Sequence, residues 1–478
     1  MQKKQELETM TKKLAPLSLA MVAVLAGCSM IPAYERPAAP VPTGYTAASA
    51  QPGAPLPSWR SYFSEPRLQQ LIEIALDHNR DLRIASLNVE QARAQFQVRR
   101  AAQYPAVGLA ANASRAPASG SGDLTNSFSV GLAVTAWELD FFGRIASLKE
   151  QALAQYLASE EGRNAAQVSL ISAVANGWLT LLADEQLLEL SRRTLTTREE
   201  SVRLTKLRLD SGAASELDYR QAESLTQAAR ATLAQQQRQR ALDENALALL
   251  LGQPLPEDMR ASLTRSDLRA APSMQTVPAG LPSDLLAQRP DIRQAEQQLV
   301  AANANIGAAR AAFFPRIALT AQAGTASGEL SGLFKNGSWG FTLAPSLLLP
   351  LFDAGANQAN LDSAQVGRKL AVAQYEKAIQ TAFREVSDAL ASQSTLTEQL
   401  DAQTKQAEAE AIRLNLADLR YKNGVASYLD LLDAQRSLFS TQQGVVQVRL
   451  GQLQNQVTLF KALGGGWDAE TGQASKAP

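Results

Sequence analysis

One block of sequence is written twice in this chain, and that duplication limits its fold more than any other feature. Arg208, Gly212, Ala214, Ser215, Leu217, Asp218, Ala222, Leu251 and Gly252 return at a spacing of 212 as Arg420, Gly424, Ala426, Ser427, Leu429, Asp430, Ala434, Leu463 and Gly464. Upstream, Asp81, Arg83, Ala85, Ala92, Ala94, Arg100 and Pro105 return at a spacing of 210 as Asp291, Arg293, Ala295, Ala302, Ala304, Arg310 and Pro315. Periods of about 20–50 residues build solenoids; a period this long is a duplicated half-domain. Function then belongs to what two pseudo-equivalent halves build together, rather than to one asymmetric catalytic pocket.

Within each half, two periodicities alternate. Most of the chain is rich in Ala, Gln, Leu, Glu and Arg, and no proline occurs between Asp353 and Gly464. Leu432, Phe439, Val446, Leu453 and Phe460 keep a seven-residue step, the mark of a left-handed coiled seam. Val168, Ile171, Ala175, Trp178 and Leu182 step likewise in the first half. Gly212 and Gly424 read as tight connections between two long antiparallel helices. The other periodicity is two. Phe128, Val130, Leu132, Val134 and Ala136 alternate with small or polar residues. Val107 to Ala113, Ile317 to Ala323 and Trp339 to Leu343 do the same. Each half thus carries one hairpin, spanning about 104–139 and about 316–351, followed by a long helix pair over about 144–251 and about 355–463. The expected segments are a signal over 1–27, a leader over 28–66, repeats over 67–252 and 284–464, a linker over 253–283 and a tail over 465–478.

The N-terminus supplies an address. Lys12 and Lys13 precede an apolar run from Leu14 to Ala26, and Leu25-Ala26-Gly27-Cys28 closes it. This ending resembles a bacterial lipobox, in which Cys28 is acylated; Ser29 in place of Asp points to the outer membrane. Met10 opens a more ordinary signal than Met1. Cys28 is the only cysteine, so an exported chain has no internal disulfide. After Cys28 no apolar window is expected to be long enough for a spanning helix. One-faced strands of roughly ten residues suit a membrane β-barrel wall, but four strands do not close one, since about eight is the practical minimum. Three copies supply twelve and two supply eight; counting alone admits both.

Several motifs then resemble the outer-membrane factors of tripartite efflux pumps, in their lipoprotein branch. They are the lipobox, Thr135-Ala136-Trp137-Glu138-Leu139-Asp140 with Phe142-Gly143-Arg144, Val277 to Leu286, Arg289-Pro290-Asp291-Ile292-Arg293, Ala309 to Pro315, and Leu432-Asp433-Ala434-Gln435-Arg436. The resemblance implies a mainly α fold with a transmembrane β-barrel. In it, a homotrimer forms a 12-stranded barrel and a 12-helix periplasmic tunnel, with an equatorial belt near Leu255–Ser283. It also implies a passive exit channel for antibiotics and other small molecules, served by a periplasmic adaptor and a resistance-nodulation-division transporter, with no cofactor. A type I secretion duct for proteins shares this fold. A periplasmic adaptor shares the lipid and the coiled coil, but carries one hairpin between β-rich halves.

The same resemblance places the helix-to-helix turns at a periplasmic gate. Asp430 and Asp433, three apart on one helical face, would crowd six carboxylates around a threefold pore. Arg420 and Tyr421 would tie neighbouring helices, with Asp218 as a partner for either. Leu429 is read equally as an apolar constriction or as a packing contact. Trp339 and Trp137 are candidate interfacial anchors, with a core role as open for Trp137; Trp59 and Trp467 have no assignment. Other classes have little support. Lys+Arg and Asp+Glu both total 46, which removes a charge-based case for nucleic acid. His78 is the sole histidine, so a zinc site of the usual N/S type is implausible, and no phosphate-binding loop follows a strand.

Overall fold

The computed structural model describes residues 29–42, 45, 58–117, 124–263, 268, 274 and 288–465. The signal, Cys28, the first hairpin's tip, most of the 253–283 linker beyond Leu263 and Trp467 lie outside the described residues. In chain order the elements are α1 (Trp59–Tyr62), α2 (Pro66–His78), α3 (Arg80–Ala101), β1 (Val107–Pro117), β2 (Leu124–Leu139), α4 (Arg144–Asp210) and α5 (Glu216–Leu251). They continue with α6 (Glu257–Leu263), α7 (Pro290–Ala311), β3 (Arg316–Ser327), β4 (Trp339–Leu348), α8 (Ala356–Lys422) and α9 (Tyr428–Ala462). The helix–hairpin–helix–helix order therefore occurs twice. Helices α4 and α8 each have 67 residues, about 100 Å at about 1.5 Å per residue.

The chain divides into two compact units. The first holds residues 1–38, 88–160 and 294–376. Its four strands form one antiparallel sheet in the order β1-β2-β3-β4, which leaves β1 and β4 as edges. The register aligns Val107, Val134, Ala321 and Leu343 in one row and Leu109, Leu132, Ala323 and Phe341 in the next row on that face. Because side chains alternate along a strand, these rows make one continuous apolar face. It is bare within one chain: Leu109, Phe341 and Leu343 are 78 %, 75 % and 61 % exposed. The opposite face carries a row of Ala110, Gly131, Gly324 and Gly340. A Cβ on Gly324 would stand 2.2 Å from the Val130 carbonyl oxygen, so this crossing admits only glycine. A β-bulge between Val134 and Trp137 puts Ala136 at φ 48°, where its amide donates to Thr320 Oγ1 at 3.3 Å.

Each hairpin hands over to a long helix through an aspartate cap. Asp140 accepts from the Ile145 and Ala146 amides at 3.0 and 2.7 Å, and Glu138 pairs with Arg144. Asp353 accepts from the Gly355 and Asn357 amides at 3.0 and 2.9 Å, and these backbone N–H groups hold its carboxyl below the usual range. The leader is no loose tether where it is described. The Met30 carbonyl accepts from Arg310, the Pro32 carbonyl from Asn303, and Arg36 pairs with Glu296. The leader from Met30 to Arg36 thus runs antiparallel along α7 from Arg310 to Glu296, and the two spans, six and fourteen steps, come to roughly 20 Å at about 3.3 and 1.5 Å per residue. Gly307 makes the slot: a Cβ there would lie 2.6 Å from Ile31 Cγ1.

The second unit holds residues 39–87, 161–293 and 377–478. Its core contains Trp59, Tyr62, Phe63, Leu71, Ile72, Trp178 and Phe460, all at most 1 % exposed. Tyr62 stacks on Phe460 at 4.0 Å and donates to the Gln456 carbonyl. Trp59, which the sequence left unplaced, is core. One expectation fails: α4 does contain a stretch long and apolar enough to cross a membrane. That stretch is mostly buried inside the protein, with Ile171, Val174, Trp178, Leu181 and Leu182 at most 3 % exposed. It is apolar because it is core. The duplication persists in detail. Asn79 donates to the Leu250 carbonyl, and its counterpart in the second repeat, Arg289, donates to the Ala462 carbonyl at 2.6 Å. Each ties the start of one helix to the last turn of a helix pair.

Candidate gate at the helix-to-helix turns

The two turns are built alike. After α4, Gly212 at φ 76° accompanies bonds from the Ala213 amide to the Arg208 carbonyl and from the Gly212 amide to the Leu209 carbonyl. After α8, Gly424 at φ 71° accompanies the same pair, Val425 to Arg420 and Gly424 to Tyr421. This is the Schellman arrangement, which needs a left-handed residue and so selects glycine. The next helix opens on a capping box in both cases. Ser215 and Asp218 exchange backbone–side-chain bonds at 3.1 and 3.1 Å, and Ser427 and Asp430 at 3.2 and 3.2 Å.

Four helices of the second unit meet here. Tyr428, 5 % exposed, packs with Leu431, Leu432 and Ala222, against Val202, Leu225, Leu414 and Tyr421. Its hydroxyl lies 2.8 Å from Ser201 Oγ, and Arg198 donates to Gln435 at 2.6 Å. Burial lowers the pKa of the Arg198 guanidinium. The Arg208 guanidinium sits 4.8 Å over the Tyr421 ring, which in turn lies 5.3 Å from the Tyr428 ring. A cavity of about 230 Å³ between the pairs is lined by Ser201, Thr205, Arg208, Tyr421, Tyr428 and Gln435, among others.

The six candidate residues take distinct places in this geometry. Asp430 is engaged at the helix start, accepting from Ser427 N and Oγ. Asp433 is held by Arg413 across the α8–α9 pair at 2.5 Å, and by Arg436 at 3.4 Å. The Arg413 hydrogen bond is the main reason its carboxyl lies below the usual range. Within one chain the charge around Asp433 is therefore set by guanidinium groups, not by other carboxylates. Asp218 bonds to Ser215 and has no hydrogen bond to Arg420 or Tyr421, because its own helix start engages it. Tyr421 takes Arg208 instead, the repeat counterpart of Arg420. Arg420 is exposed, with its carbonyl fixed by the turn. Leu429 is 56 % exposed within one chain. Sequence reasoning missed Arg413, Arg208, Arg198 and Tyr428. Two of these left a signal: Arg208 is the repeat mate of Arg420, and Arg413 and Asp433 lie eleven and nine residues on either side of Gly424, as facing positions of an antiparallel pair do.

Comparison with known proteins agrees with this architecture. Residues 71–253 and 281–465, one stretch in each repeat, match the family described as outer membrane efflux protein. The chain is 47 % identical over 481 residues to the probable efflux pump outer membrane protein TtgC and to the antibiotic efflux pump outer membrane protein ArpC, both of Pseudomonas putida, with 98 % of this chain and 98 % of each relative covered. Among solved structures, the open-state MtrE outer membrane channel of Neisseria gonorrhoeae has a TM-score of 0.83 at 41 % identity, over 92 % of this chain and 98 % of that one. A match across both repeats, joined to a sheet with a bare apolar face and two free edges, makes this chain a member of the outer membrane efflux protein family, resident in the outer membrane.

Proposed function

We propose that three copies of this chain form the exit channel of a tripartite drug-efflux pump. The observation that carries the reading is the four-stranded sheet, with one apolar face exposed and both edge strands unpaired. Cyclic association of three sheets gives twelve strands, removes every edge and turns the apolar face to lipid. A periplasmic adaptor and an inner-membrane transporter of the resistance-nodulation-division type supply substrate and energy, and the channel conducts antibiotics and other small molecules passively. Acylated Cys28 anchors each copy; the leader lying along α7 supports an anchor held near the start of β3. Deleting the gene should raise susceptibility to dyes and antibiotics and leave secreted protein unchanged. Loss of a secreted protein with unchanged susceptibility would favour the protein-export duct instead.

The gate is the pair of turns, with Asp430, Asp433, Arg420, Tyr421, Asp218 and Leu429 as its residues. In a threefold ring the Arg413–Asp433 pair closes the α8–α9 helices, and opening requires it to break. Asp430→Ala combined with Asp433→Ala should raise the resting conductance of the purified channel in planar bilayers; an unchanged resting conductance overturns the gate assignment.

A further inference from the structure

Within the second unit, α4 and α5 meet at a place where two acids face each other without a donor. Asp184 on α4 is 5 % exposed, and its Oδ2 has no hydrogen-bond partner. The Arg240–Glu185 ion pair, at 2.7 Å, joins α5 to α4 beside Asp184, and Asp243, one turn on from Arg240, is the carboxyl that adds to burial in raising Asp184. Asp243 already accepts from Gln239 Nε2 at 2.9 Å. Ionised carboxylates only accept, so two of them in contact need a hydrogen from elsewhere.

The nearest cation, Arg240, favours ionised Asp184 through its charge, but burial and Asp243 outweigh it and its hydrogen bonds go to glutamates. Arg240 on α5 is committed to Glu185 at 2.7 Å and to Glu244 at 3.1 Å. Arg260 on α6 is committed to Glu244 and Glu257 at 2.7 and 2.9 Å, and Arg192 on α4 reaches only Glu185, at 4.0 Å. The arginines thus serve the glutamates and leave the aspartates to each other. The other half of the molecule has no such pair. At the equivalent positions of the second repeat, Leu396 replaces Asp184 and Asn455 replaces Asp243, and Asn455 donates to the Ala389 carbonyl at 2.9 Å.

We propose that Asp184 and Asp243 together bind one proton, and that this proton joins α4 to α5 at a level where α8 and α9 need none. Its release transfers H⁺ to water and leaves two facing carboxylates, one of them buried, which repel. The first helix pair then loosens at this level while the second keeps its packing. Burial, followed by the Asp243 contact, pushes the Asp184 carboxyl up to about 7, so the exchange falls near neutrality. The sign follows from linkage. The folded chain holds a proton that the unfolded chain has lost, so stability declines as pH rises from about 4 to about 7 and is level above that.

The test uses the full lipidated protein in detergent. Infrared titration should show one protonated carboxyl band that disappears with a midpoint near 7. Asp184→Asn and Asp243→Asn each install a permanent amide donor, and either should abolish the band. Thermal unfolding should then show the gap between variant and unsubstituted protein widening from about pH 4 to about pH 7 and constant above. Hydrogen exchange at 240–247, taken relative to the repeat counterparts 452–459, should accelerate above neutrality only in the unsubstituted protein. A band that survives both substitutions, a midpoint in the ordinary carboxylate range, or a pH-independent gap would overturn the proposal. If one variant does not assemble, the other provides the same comparison.

Discussion

The turn after α4 and the turn after α8 have the same backbone and different surroundings. Both use a left-handed glycine, the same two carbonyl-capping bonds and a serine–aspartate box. Just past the box they part. Glu216, Tyr219 and Arg220 follow the first, with Arg220 paired to Glu216 and Glu223 in solvent. Tyr428, Leu431 and Leu432 follow the second and are buried between the helix pairs. Arg413 and Asp433 bind across the second pair, where the first has Ser201 and Gln221. The shared residues make the turn, and the unshared residues decide what the turn is attached to. The turn that is packed and ion-paired across its helices is therefore the second.

That contrast can be broken most directly at the glycines. Gly212→Val and Gly424→Val each force a β-branched residue to positive φ and should each destabilise by about 1–2 kcal/mol. The two losses should be equal in thermal denaturation; a clear inequality would mean that the turns are not equivalent. Ser215→Ala and Ser427→Ala remove one cap each and should cost about 1 kcal/mol apiece, again alike. The next substitution should separate the turns. Tyr428→Phe deletes the hydroxyl contact with Ser201 and should cost about 0.5–1.5 kcal/mol in chemical denaturation, with Tyr219→Phe neutral. Arg413→Ala should change global stability least, because its ion pair is exposed. Its effect should appear as raised resting conductance, with Gln221→Ala, at the repeat counterpart of Asp433, unchanged. The Arg413–Asp433 contact holds the Asp433 carboxyl down, so it is intact above the usual carboxylate range and lost as pH falls below it. In the unsubstituted channel, resting conductance should rise in acid only below about pH 4.

Whatever depends on local spacing was legible in the sequence. The strands announced themselves by alternation, the turns by Gly212 and Gly424, and α9 by the seven-residue step ending at Phe460. Partners that depend on helix register over long separations were not. Arg208 meets Tyr421 and Arg198 meets Gln435, each pair joining one repeat to the other, and no periodicity encodes that. The Asp218 partner was not legible because a capping box and a cross-helix contact ask for the same residue at the same place, and the box engages it. The apolar stretch of α4 escaped notice because its counting is interrupted by Ser172, Asn176 and Thr180; Thr180 returns its hydroxyl to its own helix backbone at the Asn176 carbonyl. Nothing periodic in the leader announces a partner, yet Arg36, Asn303, Gly307 and Glu296 fasten its first residues.

That fastening departs from the chain's internal symmetry. Helix α7 carries Glu296, Asn303 and Gly307, but the corresponding positions of α3 are Ser86, Arg93 and Gln97, which repeat none of these groups. A ring built from three such chains therefore has six helix pairs but only three moorings. Lateral tension in the lipid would load every other stave of the cylinder, giving an assembly nearly sixfold in its walls a strictly threefold mechanical response.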